Sequence, residues 1–220
     1  NSIEIIVLTG GEGLALQRPV VEAATRRPGR TSKTQLKLFN AAMEIMGQRG
    51  PEFATVEEVA QLAGVSKGTV YYNFGSKKTM IDQLLQYGTD LLLRQMEAAA
   101  QMHSDPREAL RASIYTALKY LEDRPGYARL WIAEVWKSMN DWSESMVDSR
   151  QSLLDFIEAR VAALSKRYMI DRAQDVRSTS VAIFGAAYML SMDRVIHSSP
   201  RTAEDATRAV MQVVDGYIRR

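Results

Sequence analysis

The chain has 220 residues, 46% of them hydrophobic and 25% charged, with a net charge of +2, no cysteine and two histidines. Without cysteine there are no disulfide scaffolds, thiolate zinc sites, iron–sulfur clusters or cysteine nucleophiles, which suits a reducing cytoplasm, and His103 and His197 are too far apart in sequence to suggest a metal pair or a proton relay. No apolar run approaches the roughly 20 residues that cross a bilayer, and the composition is too apolar for a disordered chain.

Residues 1–31 read as an N-terminal extension or arm. Ile3 to Leu8 is a short β-branched run closed by Thr9-Gly10-Gly11-Glu12-Gly13. A phosphate loop needs a βαβ context that does not follow. No basic stretch precedes the run, and it is too short for a secretory signal. Arg26-Arg27-Pro28-Gly29-Arg30 then leads into helices.

Ser32-Lys33-Thr34-Gln35 has capping-box spacing, and Leu36, Phe39, Met43 and Met46 recur at helical intervals until Gly50-Pro51. Thr55-Val56-Glu57-Glu58 is a second capping box, opening a short helix that ends at Gly64. Ser66 caps a third helix to about Asn73, and Ser76 a long fourth one to about Met102. Asp105-Pro106-Arg107-Glu108 opens a fifth helix to about Asp123, and Pro125-Gly126 a sixth to about Met139. Asp141 and Glu144 begin a seventh helix that carries Leu153, Ile157, Val161, Leu164 and Tyr168. Asp171 starts an eighth to about His197, and Thr202 caps a ninth to Arg220. Both histidines fall near helix ends, where a cation suits the dipole. The expected fold is all-α with about nine helices.

Charge is uneven along this path. Residues 26–80 hold 9 Lys/Arg against 4 Asp/Glu, whereas residues 81–220 hold 18 against 19. One short basic segment on a balanced body predicts a local surface for a polyanion.

That segment contains two short helices joined by Ala63-Gly64-Val65-Ser66, a helix-turn-helix arrangement with glycine where φ must be positive. Its second helix offers Ser66, Lys67, Gly68, Thr69, Tyr71, Tyr72 and Asn73, side chains suited to base edges and phosphates. Val65, Val70 and Phe74 read as its apolar underside. Gly68 weakens a helix; it reports either close backbone approach to DNA or a packing constraint.

The run from Thr55 through Gly64-Val65-Ser66, Gly68-Thr69, Tyr72 and Phe74 to Ser76-Lys77 resembles the DNA-binding domain of TetR-type transcriptional regulators. The likeness covers about residues 32–85. It implies a helix-turn-helix DNA-binding domain over 32–80 and a helical ligand-binding and dimerisation domain over 81–220. It also implies that Thr55 touches phosphate, that Lys67, Gly68, Thr69 and Tyr72 face the major groove, and that Tyr71 and Asn73 reach the DNA backbone, while the helix N-termini at Ser66 and Ser76 offer free amides to phosphate. Lys77 would anchor another phosphate, and Arg30 and Thr31 would lie on an arm along the DNA. The partners implied are a palindromic double-stranded operator, a second copy of the chain and a small-molecule effector. No cofactor, metal, membrane or catalytic residue is expected.

The C-terminal region supplies candidates for the last two partners. Ala182, Gly185, Ala186 and Ala187, with Val210, Val213, Val214 and Tyr217, are expected at the dimer surface. Large apolar groups, with a few polar handles, suggest a cavity for an aromatic or lipophilic effector. The candidates are Tyr115, Arg129, Trp131, Val135, Trp136, Met139, Asn140, Phe156, Phe184 and Tyr188, with Glu134 as a further handle. Ligand binding would move the fourth helix as a lever, lowering DNA affinity. An enzyme on a helical bundle is the weaker alternative, because no paired-carboxylate, metal-ligand or nucleophile motif is present; a DNA-binding protein without an effector is another.

Overall fold

Capping chemistry sets most of the helix starts. In the computed structural model, which describes residues 33–170, 173, 175–196 and 201–218 without the side chains of Met139, Val195 and Ile196, Thr55 Oγ1 accepts from Glu58 N while Glu58 returns a carboxylate to the Thr55 amide. Ser66, Ser76, Asp105 and Thr202 also cap their helices, each side-chain oxygen accepting from an amide of the first turn. The helices are α1 (Lys33–Arg49), α2 (Val56–Ala63), α3 (Lys67–Phe74), α4 (Lys77–Gln101), α5 (Pro106–Asp123), α6 (Pro125–Val135), α7 (Glu144–Leu164), α8 (Val176–Ile196) and α9 (Ala203–Tyr217). Gly64 ends α2 at φ 68°, a left-handed position that glycine adopts without strain. Residues 1–32, with Arg30, Thr31, the expected strand and the Ser32 cap, lie outside the described residues, as does His197.

Three helices have boundaries that differ from the sequence reading. Helix α6 stops at Val135 rather than Met139, because Trp136 and Lys137 amides turn back onto Ile132 and Glu134 carbonyls and a 3-10 turn follows at Met139–Asp141. Helix α7 is capped by Ser143, not Asp141, and ends at Leu164. Tyr168 therefore lies beyond it, its hydroxyl donating to Asp105 Oδ2 at 2.7 Å. Helix α8 starts at Val176, where Asp175 Oδ1 accepts from Ser178 N at 2.8 Å, and an isolated antiparallel bridge joins Ile170 to Ile218.

Two apolar clusters hold the helices together. The first begins under the short helices with Leu38, Phe39, Val59, Val70 and Phe74, and continues along α4 through Leu84 and Leu85 to Tyr127, Trp131 and Leu153. Apolar packing thus runs without a break across residue 80. The second gathers α5, α7, α8 and α9 around Leu110, Ile157, Ile183, Val210 and Val214. This corrects one expectation: Val210, Val214 and Tyr217 are intrachain core, at most 3% exposed, and Ala187 faces inward as well. What α8 leaves outside is Val181, Ala182 and Met189, with half-buried Gly185 on the same ridge.

Candidate functional site

Helix α3 sits on its apolar side and shows its polar side. Val70 and Phe74 are buried, and Phe74 meets the Phe39 ring at a centroid distance of 5.5 Å. The opposite face carries Ser66, Lys67 and Gly68, with Tyr71 45% and Tyr72 91% exposed. An aromatic ring left in water to that extent covers no core. Thr69 and Asn73 are half-buried between the faces, and Asn73 Nδ2 donates to the Thr69 carbonyl at 2.8 Å. A Cβ at Gly68 would meet only Ser66 Oγ, at 3.7 Å. The fold therefore does not require glycine there, which removes the packing reading of that residue.

The cations of this face are held by local partners. Lys67 Nζ pairs with Glu57 and lies 5.8 Å from the Tyr71 ring centroid. The Lys67 hydrogen bond holds the Glu57 carboxyl below its usual range, and the same contact raises Lys67, so both are charged at neutral pH. Lys77 Nζ donates to the Glu52 carbonyl at 3.0 Å, which fixes the start of α4 against the turn before α2. Thr55 Oγ1 is exposed while it serves the capping box. Short polar groups, cations and the helix N-termini at Ser66 and Ser76 are groups that can take phosphates and base edges.

A second feature lies deeper. An almost wholly apolar cavity of about 80 Å³ is lined by α4, α5, α6, α7 and α8. Trp131, Phe156, Phe184 and Tyr188 line it as expected, joined by residues the sequence reading did not single out, among them Met96, Ile114, Tyr127 and Ile157. The other candidates are not on its wall. Tyr115 is turned outward, one position past inward-facing Ile114. Trp136 is 67% exposed because α6 ends just before it. Asn140 is exposed in the 3-10 turn, Val135 packs at the edge of the first cluster, and buried Glu134 pairs with Lys137. Arg129 lines a neighbouring cleft, and the Met139 side chain is outside the described residues. The Tyr188 hydroxyl is buried without a hydrogen-bond partner. Burial raises its phenol, against a smaller lowering by the nearby Trp136 indole.

Tyr127 joins the two features. Its hydroxyl accepts from Trp131 Nε1 at 2.6 Å and lies 2.7 Å from Thr89 Oγ1 and 3.3 Å from the Leu85 carbonyl of α4. Beside it, Tyr120 donates to the Gly88 carbonyl at 3.2 Å. Burial pushes Tyr120 up to about 12 and Tyr127 higher still, so both remain protonated donors at physiological pH. The Tyr127 ring lies against Gly88, and Gly126 packs on the Met43 carbonyl of α1. The cavity wall is thus in contact with both helices that carry the α2–α3 unit.

Residues 38–84 match the model of bacterial regulatory proteins of the tetR family. The HTH-type transcriptional activator FasR of Mycolicibacterium smegmatis is 28% identical over 73% of this chain and 74% of its own length. The HTH-type transcriptional repressor KstR2 of Rhodococcus jostii is 26% identical over 64% and 71%. A crystal structure of the regulator FadR from Bacillus subtilis, solved in complex with stearoyl-CoA, superposes with a TM-score of 0.73 at 20% identity, covering 82% of this chain and 98% of that one. These relatives are transcriptional regulators rather than enzymes, and this chain carries the helix-turn-helix domain of the tetR family of bacterial regulatory proteins, with a helical fold like theirs behind it.

Proposed function

We propose that the protein is a cytoplasmic repressor that binds a palindromic operator as a two-fold homodimer and is released by a small lipophilic or aromatic effector. Residues 32–80 would read DNA, and residues 81–220 would bind the effector and the second copy. The observation that carries the DNA half is α3: its apolar face is buried, while Tyr72 projects 91% exposed beside a glycine the fold does not need. Lys67, Gly68, Thr69 and Tyr72 take the major groove in this reading, and the α3 N-terminus at Ser66 takes a phosphate. Thr55, Tyr71, Asn73 and Lys77 take the DNA backbone.

The mate is a second copy, because one half-site reader binds weakly and two recognition helices must sit about one DNA turn, roughly 34 Å, apart. The α8 ridge of Val181, Ala182, Gly185 and Met189 is the surface we assign to it. The effector half rests on the cavity. At about 80 Å³ it is smaller than the roughly 300–1,000 Å³ of sites that hold drug-sized ligands. A ligand must therefore widen it, and a molecule that binds the widened state better shifts the population toward that state. Tyr127 and Gly126 transmit the change to α4 and α1. No described helix is long and apolar enough to cross a membrane.

Selection from a random DNA pool, with the mass of the complex measured in solution, tests this. A palindromic consensus bound by two chains is expected; an absence of enriched sequence contradicts it. On the selected site, Lys77→Gln should weaken binding and make the slope of log K against log salt shallower by about one, for the phosphate no longer neutralised. Tyr72→Ala should weaken it about tenfold or more with an unchanged melting temperature, since the ring covers nothing.

A further inference from the structure

Beside the apolar cavity lies a cleft of about 200 Å³ whose polar lining is three arginines, Arg129 of α6, Arg194 of α8 and Arg201 just before α9, with Glu122, Ser191 and Thr202. Leu118, Ala128 and Ser191 line both cleft and cavity, so a single layer of side chains separates them. Two of the guanidinium groups are partly neutralised. Arg194 lies 3.2 Å from Glu122, and Arg201 lies 3.1 Å from Asp193. Arg129 is different. Its Nε is buried without a hydrogen-bond partner, and the side chain pairs with no described residue. A buried donor without a partner forfeits its hydration with no return, and a guanidinium is a planar fork suited to carboxylate or phosphate. An apolar cavity next to a cleft with an unanswered cation is the complement of an amphiphile with an anionic head.

We infer that the effector is an anionic amphiphile whose apolar tail enters the cavity and whose carboxylate or phosphate head is held by Arg129, with Arg194 and Arg201 flanking it. This rests on the lipophilic-effector reading above. The tail supplies the expansion of the cavity. The head fixes which molecules are read, because a neutral ligand of equal length leaves Arg129 unanswered. Arg129 thus enters the site through its head-group end, not through the cavity wall where the sequence placed it.

Binding of dodecanoate, dodecanoyl-CoA and dodecan-1-ol to the full chain, by calorimetry and by shift in melting temperature, tests the assignment. At least one anionic ligand is expected to bind about tenfold or more tighter than the alcohol. Arg129→Gln should bring that ratio close to one without altering the melting temperature of the free protein, while Arg129→Lys keeps part of the preference. Whichever anion loses its advantage in Arg129→Gln identifies the head as carboxylate or phosphate. Equal binding of alcohol and anions, or a preference unchanged in Arg129→Gln, overturns the head site and leaves the lipophilic cavity standing. Failure of all three ligands to bind overturns both.

Discussion

Gly68→Ala is expected to make the protein more stable and a worse DNA binder at the same time. Glycine inside a helix costs about 1 kcal/mol relative to alanine. The new methyl group would meet nothing closer than Ser66 Oγ at 3.7 Å. The melting temperature should therefore rise by about 2–4 °C. Gly68 is exposed in the first turn of α3, between Lys67 and Thr69, on the face assigned to the major groove. A side chain there holds the helix backbone away from the base edges, and both protomers of a dimer suffer it. Operator affinity should fall about tenfold or more. Thermal unfolding and fluorescence anisotropy on one preparation read both quantities. A stabilised variant with undiminished affinity would show that the backbone at 68 does not approach DNA.

The largest loss of stability is expected at Gly126→Ala. An added Cβ would stand 2.0 Å from the Met43 carbonyl oxygen, and the obstructing atom is helix backbone, which has no rotamer to escape into. Overpacking of this kind typically costs about 1–3 kcal/mol and sometimes more. Relief requires α6 to separate from α1, which also carries Tyr127 away from Gly88, where a Cβ would stand 2.2 Å from the ring. We expect at least about 3 kcal/mol, near 10 °C in melting temperature. Tyr127→Phe acts on the same junction more gently: it keeps the ring but leaves the buried Trp131 Nε1 without its acceptor and Thr89 without its partner, about 1–3 kcal/mol. Its DNA-bound state should respond less to effector than the wild type does, because the link between cavity and α4 is loosened. A melting temperature for Gly126→Ala within about 2 °C of wild type would contradict the close packing of α1 and α6.

The parts that could be read from the sequence are those fixed by local chemistry. Thr55, Ser66, Ser76, Asp105 and Thr202 act within three residues of themselves, and each caps the helix it was expected to cap. The α2–α3 unit is readable for the same reason, since a positive φ at Gly64 and a polar face over Val70 and Phe74 are properties of a short segment. The cavity is not of this kind. Aromatic character alone singled out Tyr115 and Trp136, whereas the fold faces inward with Ile114 and ends α6 before the tryptophan. The same limit applies to α9, whose Val210, Val214 and Tyr217 stripe is apolar whichever partner covers it, and the partner proves to be the chain's own interior. Gly126 could be read as a helix start, but its packing on Met43 joins residues far apart in sequence and has no local signal.

The most direct test of the account is a hydroxyl-radical footprint of the purified protein on its selected operator. Two α3 helices presented by a two-fold dimer predict paired protected patches, related by symmetry and centred about 10 base pairs or a multiple of that apart; the protein concentration that half-protects the operator should rise about tenfold or more in Tyr72→Ala. A single unpaired patch, or protection unchanged by loss of the Tyr72 ring, would contradict it.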